Sequence, residues 1–301
     1  MLARLFVPES PVRSGGRINW QSAVLLSGWL VALLLPLSES RQSGWGSPAV
    51  LGLLALAVVL FGLWVTNEVR SDNAVIDMRM MRLPGVWTTN LVALLFGAGM
   101  FSVMAFLPQL ARTPTSAGYG FGSSVTQAGL LMLPMGITMG IAGFLSGPLV
   151  PYLSFKLQLG IGSALGAVGC AMFAGLHGAA WEIAVATAIF GIGIGLAYAS
   201  MASLIVQGVP SGQTGAATGR NANIRTIGGA IGTAVLSSAI TGNLQPSGVP
   251  VESGFTNAFI ALTVIGVLAV GISTIVPGSG RSRSRRPEEL GAATPVSAEM
   301  G

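Results

Sequence analysis

Long continuous apolar runs alternate with short polar stretches along nearly the whole chain. Eight runs stand out: Trp20–Leu37, Pro48–Val65, Val86–Leu107, Thr126–Val150, Leu157–Leu176, Trp181–Val206, Ala216–Ile240 and Phe255–Val276. Crossing a bilayer takes about 20 mostly apolar residues. Lipid offers the backbone no hydrogen-bond partners, so a span is either a helix or part of a closed barrel. Barrel strands alternate apolar and polar positions, and these runs do not. The pattern predicts an all-α polytopic membrane protein with eight transmembrane helices.

Composition strengthens this reading. The chain is 51% hydrophobic and 8% charged, against roughly a quarter charged in a soluble domain. Residues 1–19 carry Pro8, Glu9, Pro11, Arg13 and Arg17 without an apolar core. They read as a polar loop rather than a targeting signal. If the N-terminus is cytoplasmic and the spans alternate, every basic residue but Arg41 and Arg112 falls on the inner side. The positive-inside rule favours that orientation, with both termini inside the cell. The net charge of +5 then follows from topology and gives no case for nucleic acid. The Arg281–Arg286 run and the polar residues after it predict a disordered basic tail over 278–301. Trp20, Trp45, Trp64, Trp87 and Trp181 fall at span ends, as interfacial anchors do, whereas Trp29 lies deeper.

Polar and small residues inside the spans carry what chemistry there is. No Asp or Glu falls mid-span, and Glu182 comes nearest, at the outer mouth of the sixth run. His177 is the one histidine, and Cys170 is a lone cysteine within an apolar run. The clusters that a membrane protease or a metal enzyme would need are missing, so no catalytic residue, metal or cofactor is expected. Glycines recur at four-residue spacing, which lets helices approach closely in lipid. The expected packing positions are Gly143, Gly147, Gly215, Gly219, Gly228 and Gly232, with Gly162–Gly166 and Gly191, Gly193 and Gly195 beside them. Pro134 and Pro148 are positioned to kink the fourth helix.

The seventh run is unusual, carrying Arg220, Asn221, Asn223 and Arg225 in its inner half. Asn221, Arg225, Gly228 and Gly232 share one helical face. Either this face lines a water-filled cavity or inner gate, or the arginines reach back to the interface. Asn90, Gln109, Gln127, Tyr198 and Ser200 are further interior polar groups, each able to bond a neighbouring helix.

The run Val209-Pro210-Ser211-Gly212-Gln213-Thr214-Gly215-Ala216-Ala217-Thr218-Gly219, continuing into Asn221, Asn223, Arg225 and Gly228-Gly229-Ala230-Ile231-Gly232, resembles the loop and penultimate helix of the fourteen-helix drug:proton antiporters of the major facilitator superfamily. Supporting stretches are Val7-Pro8-Glu9, Gly16-Arg17-Ile18-Asn19, Ile76-Asp77-Met78-Arg79, Leu107-Pro108-Gln109, Ala128-Gly129-Leu130 and Leu133-Pro134. The resemblance runs in order from residue 1 to about residue 277. It implies a loop remnant (1–19), an extra central helix pair (20–65), a cytoplasmic linker (66–85) and a C-terminal six-helix bundle (86–277). An N-terminal six-helix bundle would be missing. The family's second loop motif is degenerate here. Gly147, Leu149 and Lys156 match, but Pro151, Tyr152 and Ser154 replace Asp, Arg and Gly, which puts its charge latch in doubt.

The resemblance implies proton-coupled efflux of a small amphipathic or cationic compound across the plasma membrane. It makes lipid, protons and the missing bundle the expected partners. Asn90, Gln109, Asn221, Asn223 and Arg225 are the cavity or gate candidates, with Arg225 at the inner gate. The alternative is a non-transporting remnant or membrane interaction subunit. A membrane enzyme or channel is disfavoured.

Overall fold

The computed structural model describes residues 20–43, 46–70, 83–209 and 214–277. Trp45, Ile76–Arg79, Pro210–Gln213, the 1–19 loop and the basic tail lie outside these residues. The helices are α1 (Trp20–Ser43), α2 (Pro48–Arg70), α3 (Pro84–Arg112), α4 (Val125–Ser146), α5 (Phe155–Gly175), α6 (Ala180–Gly208), α7 (Thr214–Thr241) and α8 (Glu252–Ile275). Among the described residues there is no strand, only one isolated bridge between Leu244 and Pro250. Seven helices are long and apolar enough to cross a membrane, while α1 offers a shorter apolar stretch, Trp20–Pro36.

Several boundaries depart from the hydropathy reading. Helix α4 stops at Ser146, so Pro148 lies in the turn beyond it and kinks nothing; Pro134 stays inside the helix. Helix α2 continues to Arg70. That extension carries Glu68, expected in a polar linker, into a buried position where Ser22 Oγ donates to its carboxylate. It also moves Trp64 more than a turn from the helix end. Trp64 is 5% exposed and packs with Ile224 of α7, so it is no interfacial anchor. Trp20, Trp87 and Trp181 do stand exposed.

Helices α3 to α8 form one bundle. Helix α6 is wedged between α4 and α5, α3 lies along α7, and α8 packs on α5 and α3. Helices α1 and α2 form a hairpin that leans on α7 through α1. Trp29 stacks on Trp64 at 6.3 Å and 8° and meets Phe61 at 4.9 Å, which fixes the hairpin internally. The main core runs through α3, α5, α6, α7 and α8 and includes Phe173, Phe190, Phe255 and Phe259.

The connections at the two ends differ. At one end three loops knit together: Tyr119 Oη donates to the Pro250 carbonyl, Gln245 Nε2 to the Ala117 carbonyl at 3.0 Å, and His177 Nε2 lies 2.9 Å from Glu252 Oε1. Gly120 makes the tight loop after α3 possible. Its φ is +82°, and an added Cβ would fall 2.5 Å from the Thr113 carbonyl oxygen, so both backbone conformation and space demand glycine. At the opposite end Gln158, fully buried, donates to the Ser146 and Leu153 carbonyls and accepts from Ser146 Oγ at 2.6 Å. A neutral amide therefore ties the loop between α4 and α5, where the charge pattern was degenerate.

Candidate functional site

The polar residues of α7 divide into two stripes. One faces α3. Asn221 Nδ2 donates to Asn90 Oδ1 at 2.8 Å, with both side chains buried. One turn on, the two backbones touch. A Cβ at Gly228 would lie 2.0 Å from the Leu94 carbonyl oxygen, and one at Gly97 would lie 1.9 Å from the Arg225 carbonyl oxygen. Gly232 also sits close against Ala98, where an added Cβ would lie 2.6 Å from the Ala98 Cβ. Small residues on both helices thus set the α3–α7 distance, and Gly97 supplies half of a contact that the sequence placed on α7 alone.

The other stripe is exposed and holds Gly215, Gly219, Asn223 and Thr226. It contrasts with the exposed faces elsewhere. Helix α4 shows Val125, Leu130, Leu133, Ile137, Ile141 and Phe144, and α8 shows Ile260, Val264, Val267, Leu268 and Ile275. On α7 the one exposed large hydrophobic residue is Val235. Large apolar side chains suit lipid, whereas small and amide-bearing ones suit water or another protein surface.

Arg225 lies at the edge of the α3-facing stripe. Its guanidinium carbon lies 4.2 Å from the ring centroid of Tyr198 on α6. Tyr198 is held in turn from α3: its hydroxyl points to Met100 Sδ at 2.9 Å, and Phe96 meets its ring edge-on at 6.3 Å. The sequence marked Tyr198 only as an inter-helix bond; its role as platform for Arg225 depends on tertiary packing.

The remaining candidates are scattered. Gln109 is exposed near the far end of α3, apart from the Asn90–Asn221 pair. Among the described residues Gln127 bonds no neighbouring helix but closes a capping box with Ser124 at the start of α4. Ser200 Oγ is buried without a hydrogen-bond partner among the described residues, as is Ser102 Oγ. Gly147, Gly215 and Gly219 are at no crossing, since an added Cβ meets nothing within 4 Å, and Gly143 is in ordinary contact with α6. The close α6 contacts use Gly191 and Gly195 against α4 and Gly193 against Gly162 and Gly166 of α5. Glu182 caps α6, accepting from the Gly178 and Ala179 amides at 3.0 Å each. Cys170 is buried and unbridged, and no metal-ligand cluster occurs among the described residues.

A groove of about 570 Å³ opens between the hairpin and the bundle, within the size range of small-molecule sites. Val31 and Leu35 of α1, Phe106 of α3 and Thr233 and Ser237 of α7 line it.

Residues 2–233 match the family model described as Major Facilitator Superfamily. The chain belongs to that superfamily. Among curated superfamily relatives it is 32% identical over 281 residues to the cephamycin export protein CmcT of Amycolatopsis lactamdurans, covering 88% of this chain and 54% of that protein. It is 30% identical over 222 residues to the tetracycline resistance determinant of Streptomyces rimosus, covering 72% and 62% respectively. It is also 30% identical over 287 residues to the methylenomycin A resistance protein of Streptomyces coelicolor, covering 88% and 53%. The chain spans little more than half the length of these relatives. Among solved structures, the nucleoside transporter NupG shares the fold, with a TM-score of 0.53 at 14% identity over 85% of this chain and 65% of that one.

Proposed function

We propose that this superfamily member is the C-terminal portion of a proton-coupled exporter of drug-like small molecules, with α3–α8 as one of two rocking bundles and α1–α2 as a central hairpin. The observation that carries the reading is the exposed Gly219–Asn223–Thr226 stripe of α7, a membrane-helix face unsuited to lipid. In transporters of this architecture the cargo site forms between two bundles and is exposed to each side in turn. A stripe of this kind fits such a junction. The names of the relatives, which speak of export and drug resistance, point the same way.

In this reading Asn90 and Asn221 pin α3 to α7, Arg225 forms the inner gate, and Asn223 faces the route. Gln109 lies toward the other mouth. The distribution of basic residues favours both termini in the cytoplasm of a plasma-membrane protein. Helices α3 to α8 hold no carboxylate away from the outer ends, so the proton-linked acid would come from the partnering bundle. The second reading, a membrane interaction subunit without transport, keeps the same stripe as a docking face.

Two measurements separate them. An immunoblot of native membranes against residues 281–301 gives the size of the working protein. A band at 30.6 kDa means that this portion exists by itself, and one of roughly 50 kDa means a fused bundle. Efflux of an amphipathic dye from cells expressing that species, abolished by a protonophore, is the expected result. Dye retention with correct membrane insertion would leave the subunit reading.

A further inference from the structure

Residues 83–277 contain two acids, Glu182 and Glu252, both in the first turn of a helix and both engaged. Arg225 is different. It lies about 16 Å along α7 from Thr214, at 1.5 Å per residue, and meets no carboxylate and no hydrogen-bond acceptor among the described residues. Its guanidinium is nevertheless placed. One face rests on Tyr198, whose ring is fixed by Met100 and Phe96, and its backbone is locked against Gly97. The ring occupies one side of the guanidinium, whose N–H groups meet no acceptor among the described residues. Those groups match a carboxylate, which accepts two parallel hydrogen bonds. A cationic ligand would find the opposite: a fixed positive charge and no acid in this bundle to receive it.

We propose that Arg225, seated on Tyr198, is a recognition site for the carboxylate of a small amphipathic anion, so that the cargo received by this bundle is an organic acid rather than a cation. The proposal rests on the transport reading given above, since it takes the edge of the α7 stripe to be reached by cargo. Of the exposed polar residues of α7, Thr226 follows Arg225 directly, whereas Asn223 projects from the opposite side of the helix. Tyr198 is a positioning residue: its ring, 4.2 Å from the guanidinium carbon, holds the group in place.

The test is equilibrium dialysis of the full chain in phosphatidylcholine nanodiscs. The probes are 1-naphthoate and its cationic counterpart, a naphthylmethyl trimethylammonium. Saturable naphthoate binding is expected, with no binding of the ammonium. Arg225→Gln should weaken it at least about tenfold, the effect of losing a charge-assisted pair, and Arg225→Lys should keep part of it. Tyr198→Phe should retain binding and Tyr198→Leu should lose it, a pair that decides the matter if Arg225→Gln fails to insert. Equal binding of the ammonium, unchanged naphthoate binding in Arg225→Gln, or no binding of either probe would overturn the proposal. Displacement of naphthoate by added phosphatidylglycerol would assign the arginine to a lipid headgroup and overturn it too. Transport is read separately in vesicles that hold this chain together with its partnering bundle. Naphthoate binding without export keeps the site and removes the exporter reading; export of the ammonium alone does the reverse.

Discussion

Asn221 donates to Asn90 at 2.8 Å across the α3–α7 interface, a buried amide pair one turn from the place where the two backbones touch. Truncating either residue costs the other this hydrogen bond in a buried setting. A double-mutant cycle with Asn90→Ala and Asn221→Ala should give a coupling energy near 1 kcal/mol, the range of inter-helix hydrogen bonds in membranes. Unfolding in mixed detergent measures it. Additive single effects would mean that the pair does not hold the helices together.

Glycine substitutions should separate contact positions from open ones. Gly97→Ala and Gly228→Ala push a methyl into a facing backbone and should each cost about 1–3 kcal/mol, as overpacking does. Gly147→Ala and Gly219→Ala meet nothing within 4 Å and should stay within about 0.5 kcal/mol. Thermal unfolding in detergent distinguishes the two groups, and equal effects would refute the crossing geometry.

Arg225→Ala should remove export by the assembled transporter while leaving membrane insertion intact. Vesicle transport and a membrane-fraction blot check the two halves of that statement. Unchanged export would show that the arginine is not part of the gate.

The α6 cap offers a test away from the bundle interior. Glu182 accepts from two amides that have no partner within the helix. Glu182→Ala should therefore cost about 1 kcal/mol, the usual loss for a removed cap. Glu182→Gln retains an acceptor and should cost less. Denaturant unfolding of the three proteins gives the order.

Tyr119 predicts an alkaline limit. Burial raises its phenol above the ordinary range, with the Glu252 charge adding to the effect and a hydrogen bond with Thr113 opposing it. A raised folded-state value means that the neutral phenol is favoured in the fold. Its contribution is complete below about pH 10, the unfolded value, and is lost as pH rises through the folded one. Wild type should lose stability above pH 10 more steeply than Tyr119→Phe, and parallel profiles would contradict the linkage.

Hydropathy made the helices legible, because lipid permits few alternatives to a helix. It was less informative about ends and partners. Trp64 has the sequence position of an interfacial anchor, but α2 continues past it and the hairpin buries it against Ile224. Gly228 and Gly232 were readable from spacing, whereas Gly97 was not, because a crossing needs two surfaces and spacing describes one. Asn90 and Asn221 were each visible, but their pairing was not. Gln158 had no local signal at all: a single amide beside a loop becomes a tether only when Ser146 and Leu153 are brought to it.

The stripe on α7 also bears on the fate of the chain in a cell. Gly219, Asn223 and Thr226 give acyl chains few methyl groups to pack against and present an amide that hydrocarbon cannot solvate. A molecule left with that flank uncovered is the kind of orphan subunit that membrane surveillance proteases remove. The half-life of this protein would then report directly on whether that flank is covered.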